Sequence, residues 1–223
     1  LMLFCPPRVG KSEITSVRFP AWFLGRNPDC GVILASCTAD LAIKFSRQVR
    51  DIVNDDPFQT LWGKYSTLPR DRWVSLSESS HSAEAWELAG RRGELKAAGV
   101  GGSIVGRGAH LAILDDPIKN RAEAESKRAR DELDSWYKSA FYSRLEPGGA
   151  IVVMHQRWGS DDLAGRLLRR MVEEEGADQW EVVSLPALAE EWAPDEVGAE
   201  EHARALKDGW WKAPDALGRR PGE

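Results

Sequence analysis

Apolar residues in this chain gather in short unbroken runs, separated by stretches where they recur every three or four positions. The runs are residues 1–4, Gly31–Ser36 (Gly-Val-Ile-Leu-Ala-Ser), residues 111–114 and residues 149–154 (Gly-Ala-Ile-Val-Val-Met). A run without polar alternation suits a strand buried on both faces, as in a parallel sheet. Between the runs, residues 11–24 and Ala39–Asn54 carry helical spacing. In the second, Leu41, Phe45, Val49 and Ile52 fall on one face, and Thr38 is placed to cap it. Residues 121–145 read as one long helix, charged at first and then amphipathic through Leu133, Trp136, Tyr137 and Phe141. Its charged half is most simply a solvated face. Asp161-Asp162-Leu163 opens a further helix to about residue 175, and residues 180–185 make a last strand.

Residues 55–96 break this rhythm. Strand-like pieces at 72–76, 85–88 and 94–97, joined by Ser, Gly and Arg turns, predict an antiparallel excursion at the sheet edge. Strands alternating with helices predict an α/β fold, a three-layer sandwich around a mainly parallel, doubly wound sheet. Residues 1–185 form the expected domain. From 186 to 223 the chain turns Pro-, Glu- and Gly-rich with one weak helical stretch near 200–207, which reads as a linker. The first residues lie inside a strand and the last are turn-rich, so a piece of a longer protein is expected.

Composition narrows the function classes. At 223 residues the chain can bury a real core, and 42% hydrophobic with 29% charged residues is ordinary for a globular domain. No run of 18 apolar residues predicts a membrane span. A net charge of −5 speaks against a static nucleic-acid coat but leaves room for a motor touching DNA through a small patch. Cys5, Cys30 and Cys37 are odd in number and lack metal-ligand spacing, which fits a reducing compartment. The four histidines form no zinc signature. Among ten tryptophans, Trp22, Trp62, Trp136 and Trp158 are expected in the core.

Candidate chemistry begins at Phe4-Cys5-Pro6-Pro7-Arg8-Val9-Gly10-Lys11-Ser12. Strand, tight loop, Gly-Lys-Ser and helix is the layout of a phosphate-binding P-loop. Backbone N–H groups at the helix N-terminus point at an anion, and the helix dipole adds to the attraction. Lys11, expected to stand exposed without ligand, reaches β- and γ-phosphates, and the Ser12 hydroxyl sits on Mg²⁺. The triplet alone does not decide the matter, because the full motif wants glycine where Cys5 stands. A second motif lies 104 residues after Lys11, where Leu111-Ala112-Ile113-Leu114 ends in Asp115-Asp116. In a P-loop enzyme this strand is expected beside the P-loop strand, with Asp115 in the Mg²⁺ shell and Asp116 orienting or deprotonating the attacking water. The bland alternative is a strand ending in an Asp-Asp-Pro turn. A glycine-rich stretch, 99–108, precedes it and holds Arg107, either as a flexible connector or as an arginine that stabilises phosphate charge.

Taken together, three blocks resemble the ATPase domain of tailed-phage terminase large subunits. They are Pro6 through Ser12; Gly106-Arg107-Gly108 ahead of Leu114-Asp115-Asp116-Pro117-Ile118-Lys119; and Gln156-Arg157-Trp158 with Asp161-Asp162-Leu163-Ala164-Gly165-Arg166-Leu167-Leu168. The resemblance implies an ATP- and Mg²⁺-dependent motor that moves double-stranded DNA into a procapsid in the cytoplasm of an infected bacterium. It also implies a homo-oligomeric ring, a portal protein and a small terminase subunit as partners, no membrane, and a C-terminal nuclease domain. By position, Pro7, Arg8, Val9, Gly10, Lys11 and Ser12 match the phosphate-binding loop, with Arg8 on the γ-phosphate. Asp115 matches the Mg²⁺-shell acid. Asp116 stands where many members have a catalytic Glu. Gln156 and Arg157 match the motif coupling hydrolysis to movement, and Arg107 a finger acting in trans. Cys5 departs from the pattern, many relatives have Thr where Gln156 stands, and the adenine-contacting segment expected ahead of the first strand is missing. The alternatives are another P-loop translocase or helicase-like ATPase, and a degenerate P-loop structural module.

Overall fold

Strands β1 (Met2–Phe4), β2 (Gly31–Ser36), β3 (Ala85–Glu87), β4 (Glu94–Gly99), β5 (Ala109–Asp115), β6 (Leu145–Met154) and β7 (Val182–Ser184) join into one sheet. Their order is β3-β4-β2-β5-β6-β1-β7. This computed structural model describes residues 1–185 except Ser80, His81, Val105 and Arg107. The expected linker, 186–223, lies outside the described residues. Every strand pair is parallel except β3 with β4.

Three placements differ from the sequence expectation. β4 belongs to the parallel sheet: it runs parallel to β2 in register from Gly31↔Glu94 to Ser36↔Gly99, and only its other neighbour, β3, is antiparallel to it. Glu94 and Lys96 alternate with buried Leu95 and Ala97, and that alternation mimics an edge strand. The excursion is β3 plus one Leu76–Leu88 bridge. Residues 56–62, in the stretch where the rhythm breaks and no element is expected, form helix α3 (Asp56–Trp62), with a proline in its first turn. Third, β5 does not lie beside β1. β6 stands between them, pairing Leu114↔Val153 on one side and Met2↔Val153 on the other. Ile151 to Met154 are all buried, so this strand can fill a central slot on both faces, and a hydrophobic run does not record which neighbours it takes.

Helices cover both faces. Val32 and Leu34 of β2 pack with Leu24 of α1 (Phe19–Arg26) and Val49 of α2 (Ala39–Asn54). Ile33 and Ala35 point the other way, into a cluster with Leu133 and Trp136 of α5 (Lys127–Trp136) and Leu163 of α6 (Leu163–Glu173). Burying a side chain such as Leu34 contributes about 2 kcal/mol, and parallel strands gain it on both faces. Thr38 caps α2 as expected, its Oγ1 accepting from Leu41 N at 3.2 Å. The most buried face of α2 is Ala42, Ser46, Val49 and Val53, with Leu41, Phe45 and Ile52 half-buried at its flank. Trp136 is buried and Trp62 half-buried, whereas Trp22 and Trp158 are 46% and 37% exposed and not in the core.

The expected long helix over 121–145 is broken. Asn120 caps α4 (Arg121–Glu125), then Ser126 leaves helical geometry at ψ 113 and caps α5 through Ala129 N. A side chain that takes the backbone N–H three residues on starts a new helix instead of continuing the old one. After α5 the helix widens into a π-helical stretch, Tyr137–Phe141, then tightens through Tyr142–Arg144, and Leu145 already belongs to β6. The charged half is only partly solvated. Arg130 and Asp131 join Asp161 and Arg166 across to α6, and Arg170 meets Asp134 at 2.5 Å.

Candidate active site

The sheet delivers β1 and β5 to the same edge, and the loops after them carry the chemistry. After Phe4 the chain passes buried Cys5 and turns through Pro7, Arg8, Val9 and Gly10, all exposed. Arg8 has φ 66 and Gly10 φ 81. Cys5 is not among the residues at positive φ, so a side chain where the motif usually has glycine strains nothing there. The strain sits instead at Arg8, where the left-handed region costs a non-glycine residue about 1 kcal/mol. A Cβ at Gly10 would meet nothing within 4 Å; its φ alone calls for glycine.

Helical backbone starts at Lys11, and Ile14 N donates to Gly10 O. The stretch Glu13–Arg18 is a π-helix, its wider turn closed by Phe19 N to Ile14 O. Pro20, with no N–H to give, sits just where this turn passes into α1. The turn from Lys11 to Ser16 places three side chains against the end of β5. Ser12 Oγ donates to Asp115 Oδ1 at 3.3 Å, and Ser16 Oγ to Asp115 Oδ2 at 2.5 Å. Lys11 Nζ lies 2.6 Å from Asp116 Oδ2. Lys11 is 9% exposed, a correction to the exposed lysine expected: the carboxylate across the crevice draws the ammonium down onto the strand ends.

Asp115 is fully buried. Burial pushes its carboxyl up to about 6; the Ser16 and Ser12 hydroxyls and Lys11 pull against that rise and neighbouring Asp116 adds to it. Asp116 sits at φ 40, its N–H donating to Met154 O of β6 at 2.8 Å. Its Oδ1 accepts from Gln156 N at 3.0 Å. The strand between β1 and β5 therefore leads directly into the loop that touches the second acid.

That loop is held by Asp162. Its Oδ2 accepts from Arg157 Nε at 2.9 Å, Trp158 N at 3.0 Å and Gly159 N at 3.4 Å, while Oδ1 caps α6 through Gly165 N at 2.8 Å. The Arg157 guanidinium also lies 4.9 Å from the Phe4 ring centroid. Gln156 thus reaches the site through its backbone, and Arg157 is committed to Asp162 and Phe4. His155 is buried and held below the ordinary imidazole range by that burial. Arg107 lies outside the described residues. Lys11, Ser12, Asp115, Asp116 and Gln156 are brought together, and Arg8 stands on the same loop with no ion pair to a described residue. Sequence reading missed Ser16 and the part Asp162 plays; the signal for Ser16 was a hydroxyl one turn beyond Ser12.

The donor chemistry fits Mg²⁺. Ser12 and Asp115 offer hard oxygens, and a buried carboxylate pushed up to about 6 is one that a cation would stabilise. Among the described residues no group of three or more His, Cys, Asp or Glu could hold a metal alone, so an ion here would share its shell with phosphate oxygens and water. The exposed Arg8–Gly10 turn leading into a helix N-terminus suits an anion.

No curated protein matches the chain. Among solved structures, the large terminase of bacteriophage HK97 is similar at a TM-score of 0.51 and 15% identity, over 95% of this chain and 40% of that one. The large terminase of a thermophilic bacteriophage gives a TM-score of 0.47 at 10% identity, over 83% and 39%. A further crystal form of that thermophilic phage terminase, in complex with ATP-γ-S, gives 0.32 at 14% identity, over 85% and 48%. The chain thus spans less than half the length of the terminases it resembles. The family model for the N-terminal part of T4likevirus-type terminase large subunits matches residues 2–212, and the chain belongs to that family.

Proposed function

We propose that this chain is the ATPase motor domain of a phage terminase large subunit, coupling ATP hydrolysis to the movement of double-stranded DNA into a procapsid. The observation that carries the reading is the convergence of Lys11 and Ser12, after the tight turn at Arg8–Gly10, on Asp115 and Asp116 at the end of β5. Its family membership supports the same reading.

In this reading the loop amides and Lys11 hold the β- and γ-phosphates, and Arg8 reaches the γ-phosphate from its exposed turn. Ser12 and Asp115 hold Mg²⁺, which when bound neutralises charge on the phosphate oxygens. Lys11 exchanges Asp116 for phosphate. Asp116, released from Lys11, orients water and takes its proton as water attacks the terminal phosphorus; ADP leaves with the bridging oxygen, and inorganic phosphate is the other product. Gln156, bonded through its N–H to Asp116, and Arg157 pass that change to α6 through Asp162. Arg107 supplies charge from a neighbouring subunit of a homo-oligomeric ring. The portal protein and a small terminase subunit are the proposed partners, with a nuclease domain following residues 186–223 as linker, in the cytoplasm of the infected host.

The test is phosphate release from Mg·ATP with and without double-stranded DNA. Release that DNA accelerates is the expected result. Absence of release here and in a longer chain carrying the following domain overturns the reading.

A further inference from the structure

The carboxylate assigned to Mg²⁺ carries a second hydroxyl that the proposed reaction does not use. Ser16 lies within the π-helical stretch Glu13–Arg18 and is fully buried. Its Oγ is 2.5 Å from Asp115 Oδ2, on the opposite oxygen from Ser12. The other hydroxyl in reach, Thr15 Oγ1 at 3.4 Å, donates to Lys11 O at 2.9 Å, so the Ser16 proton goes to Asp115. With Oδ2 tied by a short charge-assisted bond, the carboxylate cannot turn about its Cβ–Cγ bond without breaking it. Oδ1 is left facing Ser12. Ser12 can keep its proton on Oδ1 and still present oxygen lone pairs to a cation.

We propose that Ser16 is a positioning residue for Mg²⁺: it fixes Asp115 so that Oδ1 and Ser12 Oγ stand ready as an oxygen pair. The inference rests on the reading that Ser12 and Asp115 hold the ion. Partners that orient a metal ligand typically change metal affinity about 10–100-fold when removed. A hydroxyl that only satisfied a buried acid would change stability and leave the metal requirement alone.

The experiment follows the melting temperature at fixed ATP as Mg²⁺ is titrated, alongside ATP binding in EDTA. For Ser16→Ala the Mg²⁺ concentration at half-maximal shift should rise about 10-fold or more, with ATP affinity in EDTA unchanged. Thr15→Val, which removes a buried hydroxyl bonded within the helix, should lower the melting temperature without moving the Mg²⁺ midpoint. Ser16→Cys keeps the volume with a weaker donor and is read the same way where Ser16→Ala does not fold. A wild-type Mg²⁺ midpoint in the Ser16 variants overturns the inference while leaving the ATPase reading intact. A wild-type chain with no Mg·ATP shift at all overturns both.

Discussion

Lys11 and Asp116, which the proposed reaction assigns to phosphate and to water, are bonded to each other at 2.6 Å. Lys11 opens the helix that follows β1, and Asp116 directly follows β5, strands that β6 keeps apart. Without nucleotide each neutralises the other, and Lys11 is shielded from water while Asp116 remains about one-third exposed. In the proposed reaction nucleotide exchanges this pair for a lysine–phosphate contact, which leaves Asp116 free for water.

Replacing Lys11 by Met keeps the stem and removes the charge. Breaking a well-buried pair by deleting one partner costs about 3–5 kcal/mol; with Asp116 partly in water, about 1–2 kcal/mol is expected, a fall of about 3–6 °C for a domain of this size. The Mg·ATP shift, about 2.7 kcal/mol at 100 times the dissociation constant, should vanish. Differential scanning calorimetry with and without Mg·ATP reads both effects. An unchanged nucleotide-free melting temperature would show that the pair contributes nothing.

Asp116→Asn separates binding from turnover. The amide keeps an oxygen for the Gln156 N–H but accepts no proton, so phosphate release should fall about 10²–10⁴-fold. Mg·ATP should bind at least as tightly, because Lys11 no longer has a carboxylate to leave. Equilibrium binding alongside phosphate release makes the comparison, and unchanged turnover removes Asp116 from the role of base.

These chemical groups were legible in the sequence because P-loop chemistry needs particular residue types at short fixed spacing: Gly10-Lys11-Ser12 at a helix start, Asp115-Asp116 at a strand end. Long-range order was not. The runs 111–114 and 149–154 look alike, and nothing in either says that β6 enters between β1 and β5. β4 was misread because Glu94 and Lys96 alternate with buried residues. Ser16 carries no signal beyond a hydroxyl one turn after Ser12, and its meeting with Asp115 depends on tertiary packing that spacing does not encode. Asp162 was legible as a helix-opening acid, but its hold on Arg157 and the 158–159 amides needed the loop's path.

Arg8 combines a strained backbone with a side chain assigned to the γ-phosphate. Arg8→Gly removes the left-handed penalty of about 1 kcal/mol and adds unfolded-chain entropy of about 0.5–1 kcal/mol. Chemical denaturation should therefore find stability changed by less than about 1 kcal/mol. Phosphate release should fall, since the guanidinium is gone. Wild-type turnover in this variant would show that Arg8 serves only the turn.

The network joining α5 to α6 should control acid stability. Hydrogen bonds from Arg166 hold the Asp161 carboxyl down to about 2 from its ordinary 3.8; slight burial opposes them, and Arg130 reinforces them. A carboxyl held lower in the folded state stabilises it above the unfolded value, and the gain fades as pH falls through the folded one. The contribution is therefore full above about pH 5 and lost between about pH 4 and 2. Asp161 is 41% exposed, so solvent screening reduces it to about 1 kcal/mol. Urea unfolding of wild type and Asp161→Asn across this range should show a gap that is constant near neutrality and closes at low pH. A gap that persists at pH 2 would mean that packing of the side chain, and not its charge, joins the two helices.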